Sequence, residues 1–136
     1  MASPQRPAVD LLGSAASPVT LATTYGGGAT SSAVDVWRQE WAVYSVFVDA
    51  VGTATRIDIQ IEESSDGTNW AAVQTELVAS GVSTLSDYEQ RKAVSGTGLV
   101  FLARGVVRGA SHQRVKLKVD TGTTTTAHVQ YTLSGG

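Results

Sequence analysis

Two runs of the chain alternate apolar and polar residues without a break. Ile57, Ile59 and Ile61 alternate with Asp58, Gln60 and Glu62, and Val115, Leu117 and Val119 alternate with Lys116, Lys118 and Asp120. A period of two sends successive side chains to opposite faces, so each run predicts a β-strand with one buried face. A third run reads the same way near the end: Ala127, Val129, Tyr131 and Leu133 against His128, Gln130 and Thr132. From Trp41 to Val51 both faces are largely apolar, and β-branched and aromatic residues dominate. That pattern predicts a strand covered on both sides, central in a sheet under a loop or a subunit. Val19–Thr24 and Leu99–Val107 complete the set, with Gly105 read as the mark of a bulge.

Turn signals separate these runs. Thr55–Glu76 reads as a β-hairpin whose loop, Ser64–Asn69, places Asp66 to accept backbone hydrogen bonds and Gly67 to take a positive φ. Leu77–Ala93 reads as an irregular crossover with a helical turn near Ser86–Glu89, where Ser and Glu have capping-box spacing. About seven or eight strands at short intervals, with no amphipathic helix, predict an all-β fold. The expected architecture is an antiparallel β-sandwich with jelly-roll or immunoglobulin-like connections. The 136 residues fit one domain. Residues 1–18 hold all three prolines and read as an extended N-terminal arm, leaving 19–136 as the sandwich. Leu11 and Leu12 inside that arm are candidates for docking on a neighbouring subunit.

Composition narrows the function classes. Only 16% of residues are charged, and Ser, Thr and Gly take up the difference. The formal net charge of −2 argues against a nucleic-acid partner, which demands basic patches. No apolar run approaches the roughly 18 residues of a spanning helix, so no membrane partner is expected, and the first residues lack the pattern of a signal peptide. Cysteine is absent, which excludes disulfides and thiolate sites.

Candidate chemistry is sparse. His112 and His128 are the only histidines and lack metal-ligand spacing. No GxSxG motif is present. Gly26-Gly27-Gly28 is not followed by GK[ST], so it is not a phosphate cradle. Asp58, Glu62, Glu63 and Asp66, with Asn69 close by, could be drawn as a calcium site or a glycosidase pair, but hairpin turns are acidic for local hydrogen-bonding reasons, and Asp58, Gln60 and Glu62 point opposite the isoleucines, which predicts a solvated face. The chain therefore reads as a non-enzyme with no cofactor and no metal. Trp37, Trp41 and Trp70 remain. Aromatic faces can stack on sugars, but tryptophans also cap cores and line oligomer interfaces; Trp37 and Trp41 are the interaction candidates of that kind.

The run IEESSDGTNWAAV, with its S-x-D-G-x-x-W pattern after an alternating strand, resembles a hairpin that recurs in β-sandwich proteins of tailed-phage virions. It is also similar to hairpins of carbohydrate-binding and discoidin-like sandwiches. With the small, cysteine-free, hydroxyl-rich composition, the chain most resembles a capsid decoration (cement) protein. The resemblance implies a homo-oligomer on the capsid surface of a virion, with the major capsid protein as partner. A carbohydrate-binding module and a tail structural component are the alternatives.

Overall fold

The computed structural model describes residues 8–26, 29–107 and 109–134. Among them are twelve strands: β1 (Val9–Leu12), β2 (Val19–Thr20), β3 (Val34–Asp35), β4 (Trp41–Ala50), β5 (Arg56–Ser64), β6 (Ala71–Ala72), β7 (Gln74–Ala79), β8 (Val82–Asp87), β9 (Glu89–Ala93), β10 (Gly98–Val106), β11 (His112–Val119) and β12 (Thr126–Ser134). All pairings are antiparallel. The count exceeds the expectation because short strands share edges. β1 and β2 both lie along β12, and β6 and β9 both lie along β5.

Sheet A runs β1-β12-β4-β10, with β2 beside β1 on the same edge; sheet B runs β3-β11-β5, with β6 and β9 on the far edge of β5. The chain crosses between the sheets from β2 to β3, β3 to β4, β4 to β5, β9 to β10, β10 to β11 and β11 to β12. First and last strands are neighbours, and successive strands face one another across the core. This is jelly-roll order, not the immunoglobulin one.

The alternation read from sequence explains the core. Ile57, Ile59 and Ile61 of β5 lie beside Val115, Leu117 and Val119 of β11, in register. From sheet A, Tyr44, Val46, Val48, Ala127 and Val129 join the same buried cluster. The hairpin also holds: Glu62 and Glu63 pair with Ala72 and Ala71, and Gly67 has φ of 78°.

Three expectations are corrected. The described part of the N-terminal segment is not an arm reaching outward. Val9–Leu12 pairs with β12, which gives that strand's edge N–H and C=O groups partners, and the pairing brings Leu12, only 6% exposed, into the core, with Leu11 packed against it. Residues 1–7 lie outside the described residues. The stretch Leu77–Ala93 holds strands and no helical turn: Ser80 and Gly81, with φ of 52° and 76°, form a two-residue type I′ connection between β7 and β8. Gly105 is not at a bulge. It pairs in register with Ala42, and the register shift falls between Leu99 and Phe101. Gly105 is needed for close approach: a Cβ there would overlap Gln113 Oε1 and come within 3.1 Å of Tyr44 Cε2.

That crowding has a polar cause. Gln113 is fully buried, accepts a hydrogen bond from Tyr44 Oη at 2.8 Å and donates to the Val106 carbonyl at 3.3 Å. The amide cannot move aside without leaving a buried hydroxyl unpaired. Gly105→Ala should therefore lower the free energy of unfolding by about 1–3 kcal/mol, read from urea denaturation. Leu12→Ala should cost about 2–4 kcal/mol in the same measurement. A variant as stable as the parent would return the segment to the role of a loose arm.

Candidate interaction surface

The hairpin motif that carries the resemblance is held by its own hydrogen bonds. Asp66 Oδ1 accepts the N–H groups of Thr68 and Asn69 at 2.8 Å each, and Asp66 Oδ2 accepts Asn69 Nδ2 at 2.7 Å. Ser64 Oγ accepts the Gly67 N–H at 2.9 Å. These bonds hold the Asp66 carboxyl well below the usual carboxylate range. At the opposite side of the fold, Asp120 does similar work for the start of β5. It accepts the Thr55 hydroxyl, and its Oδ1 takes the Thr55 and Arg56 N–H groups at 3.0 Å each, which lowers its pKa to about 2.

The outer face of sheet B is charged but not freely solvated, which corrects the reading of Asp58 and Glu62. Asp58 is fully buried under Arg56 (Nε–Oδ1 2.7 Å), with Lys118 Nζ at 3.7 Å. Glu62 lies between Arg114 (2.6 Å) and Lys116 (3.3 Å). Two aromatic rings lie against this lattice. Arg114 lies 4.4 Å from the centroid of the Trp70 ring, and Lys118 lies 5.0 Å from that of Tyr25. The Tyr25 hydroxyl donates to Glu89 at 2.5 Å; burial and that carboxylate hold its pKa far above normal. Burial pulls Glu89 upward, but hydrogen bonds from Tyr25 and Arg91 prevail and hold its carboxyl below the ordinary value. The charges of this face thus satisfy one another.

Sheet A differs. Residues directly opposite in an antiparallel ladder share a face. Its outward rows are Leu99–Phe47–His128, Leu102–Ser45–Gln130, Arg104–Val43–Thr132 and Val106–Trp41–Ser134. Leu99, Leu102 and Val106 are 45–55% exposed. Polar atoms on this face are mostly engaged. His128 is buried, not solvated as its alternation suggested: its ring stacks on Phe47 at 4.7 Å and its Nδ1 lies 2.7 Å from Asp49 Oδ2. Arg104 lies over the Trp41 ring at 5.0 Å.

The four predicted interaction residues separate accordingly. Leu11 and Leu12 belong to the sandwich, with Leu12 inside it. Trp41 is on the outer face of sheet A. Trp37 is 59% exposed, in a turn closed by the Gln39 N–H to the Val36 carbonyl and by Asp35 Oδ1 accepting the Trp37 N–H. Arg38 in that turn has φ of 65°, a conformation rare for a side-chain-bearing residue. Trp70 has one ring face occupied by Arg114 and borders an open cleft of about 650 Å³ with Gln60, Glu62, Val73 and Leu85. Among the described residues no three His, Cys, Asp or Glu side chains converge to hold a metal ion; Gly27 and Gly28 of the glycine loop lie outside the described residues.

Sequence reasoning named neither of two exposed groups as an interaction candidate. The first is the outer face of β10, a strand expected at Leu99–Val107, whose run LVFLARGVV is apolar on both faces, as in β4. The second is the β7–β8 hairpin, where Val78 and Val82 are each 63% exposed and Leu85 62%. Its Ser80-Gly81 dipeptide between two short β-prone runs was the available signal.

No protein-family model, no curated protein and no solved structure matches this chain.

The capping carboxylates set an acid limit on stability. A carboxyl whose pKa is lower in the folded chain stabilises the fold above its unfolded value, 3.8, and that contribution disappears as pH falls through the folded value. Stability should thus be level near neutrality and fall as pH drops from about 4 to about 2. Asp120→Asn should lower the melting temperature at neutral pH, and the gap to the parent should close toward about pH 2. A gap of equal size at both ends would show that the side chain acts by packing alone.

Proposed function

We propose that this protein works by assembly and not by chemistry, as a non-enzymatic virion structural protein of the decoration (cement) kind. In this reading it attaches to the major capsid protein on the capsid surface and stabilises the lattice as a homo-oligomer. The observation that carries it is the outer face of sheet A. A domain of 14.1 kDa that leaves Leu99, Leu102 and Val106 half exposed on that face, and Trp37 exposed in the β3–β4 turn, offers apolar side chains to a partner. The jelly roll supports the reading at the level of architecture, since that order recurs in viral capsid domains; it recurs in lectins too, and fold alone does not assign function. The SSDGTNW turn contributes only a resemblance, because its polar groups are spent on holding the turn.

Attachment would rest on apolar and hydroxyl-rich contacts, each modest, summed over several copies. Trp37 is the side chain best placed to anchor such a contact. It is large and rigid, and a turn that Asp35 stabilises holds it outward.

The test is co-sedimentation of the purified chain with capsids that lack it. The parent should co-sediment in stoichiometric amount, and Trp37→Ala should weaken attachment by roughly tenfold or more. No binding to such capsids, together with retention on a polysaccharide resin that Trp37→Ala abolishes, would replace the proposal with a carbohydrate-binding module.

A further inference from the structure

Asp66-Gly67 is the one Asp-Gly pair in the chain. Such a pair is where a polypeptide rearranges most readily, because glycine puts no side chain beside its nitrogen and lets the backbone turn freely. The glycine nitrogen attacks the aspartate Cγ, gives up its proton and expels the carboxyl OH as water, which leaves a five-membered succinimide. Water then opens the imide. Opening at the former main-chain carbonyl of the aspartate routes the chain through Cβ and Cγ and yields isoaspartate. One water leaves and one enters, so the mass is unchanged and no other reactant is consumed.

The folded turn holds both reacting groups away from this path. The Gly67 N–H is donated to Ser64 Oγ at 2.9 Å. Asp66 Oδ1 accepts the Thr68 and Asn69 N–H groups at 2.8 Å each and the Ser64 hydroxyl at 2.9 Å, while Oδ2 accepts Asn69 Nδ2 at 2.7 Å. Donors placed in this way favour the carboxylate over the acid, and only the acid loses water readily. Ser64 serves both halves. Its Oγ also accepts the Asp66 N–H at 3.2 Å, and it takes part in three of the six side-chain hydrogen bonds of the turn. Ser64 is itself buried at the end of β5, and its carbonyl accepts the Ser111 N–H at 3.1 Å, so it belongs to the sheet and does not move with the loop. Ser65, Asp66, Thr68 and Asn69 are exposed, so water already reaches the pair.

We infer that the Ser64–Asn69 turn closes a latent modification site: Asp66-Gly67 converts to isoaspartate only from a locally opened turn, and the conversion then keeps the turn from closing. Ser64 is the positioning residue. The second half follows from covalent geometry. Isoaspartate lengthens the main chain by one carbon and leaves its carboxylate on a stub one methylene shorter, so the span from Ser64 to the Thr68 and Asn69 N–H groups no longer fits. Trp70 comes next in the chain, and its ring lies against Arg114 at 4.4 Å, so the change reaches the outer face of sheet B. None of this depends on what the protein binds.

The experiment is incubation of the full chain at neutral pH. Isoaspartate at position 66 is read by tandem mass spectrometry and by resistance to cleavage at Asp66 with an aspartate-specific protease. The folded parent should convert at least about tenfold more slowly than the same chain in guanidinium chloride, because conversion is limited to the open population. Ser64→Ala should raise the folded rate by about tenfold or more, since three bonds are lost. Asn69→Ala removes only the donor to Oδ2 and should raise it less; it decides the matter if circular dichroism shows that Ser64→Ala does not fold. Gly105→Ala, which loosens the core and not the turn, should leave the rate at the parent level. A folded parent that converts as fast as the unfolded chain overturns the inference. So do folded turn variants that convert no faster than the parent, or a Gly105→Ala rate that rises as far as that of the turn variants, which would mean that the whole chain opens. The purified isoaspartate form should lose hydrogen-exchange protection at the Thr68 and Asn69 N–H groups; protection retained there would show that the turn closes again.

Discussion

Burial of one apolar ladder against another is the constraint from which the rest of this molecule follows. Ile57, Ile59 and Ile61 beside Val115, Leu117 and Val119 form the inner face of sheet B, and Tyr44, Val46, Val48, Ala127 and Val129 form that of sheet A. Once these face inward, strict alternation leaves no choice about what faces out. Sheet B must present Asp58, Glu62, Arg114, Lys116 and Lys118. Sheet A must present Trp41, Val43, Phe47, Leu102 and Val106.

The two outer faces answer that demand differently. On sheet B, opposite charges lie directly across the ladder, and the rings of Tyr25 and Trp70 lie against the cations, so the charged face completes itself within one chain. On sheet A only the polar atoms find partners, as in the His128–Asp49 pair. Its apolar side chains stay half open to water, at a cost of about 25 cal/mol for each Å² left exposed. A functional surface is expected on the face that the fold leaves incomplete.

The same logic separates rigid from labile parts. The core strands are cross-linked by long ladders and by the Tyr44–Gln113 bond. Beyond its base, the β7–β8 finger pairs with no other strand among the described residues. Elements of that kind open most readily and are the usual material of binding segments.

The all-β class, the central hairpin, the inward isoleucines and the positive φ of Gly67 were legible in the chain itself, because alternation and turn chemistry are local properties. The jelly-roll order was not, since strand partners are chosen by contacts between residues far apart in sequence. For the same reason Leu12 entered the core: its strand pairs with β12, which lies far along the chain. Gly105 read as a bulge, but its role depends on Gln113 and Tyr44 arriving from two other strands. Asp58 and Glu62 read as solvated because alternation reports which face a side chain takes and says nothing of what crosses over that face. The sequence by itself determined which residues alternate and where the chain turns. The tertiary structure decided which outer face is satisfied within the chain and which is left apolar, because that balance is struck between strands that meet only when the sheets close.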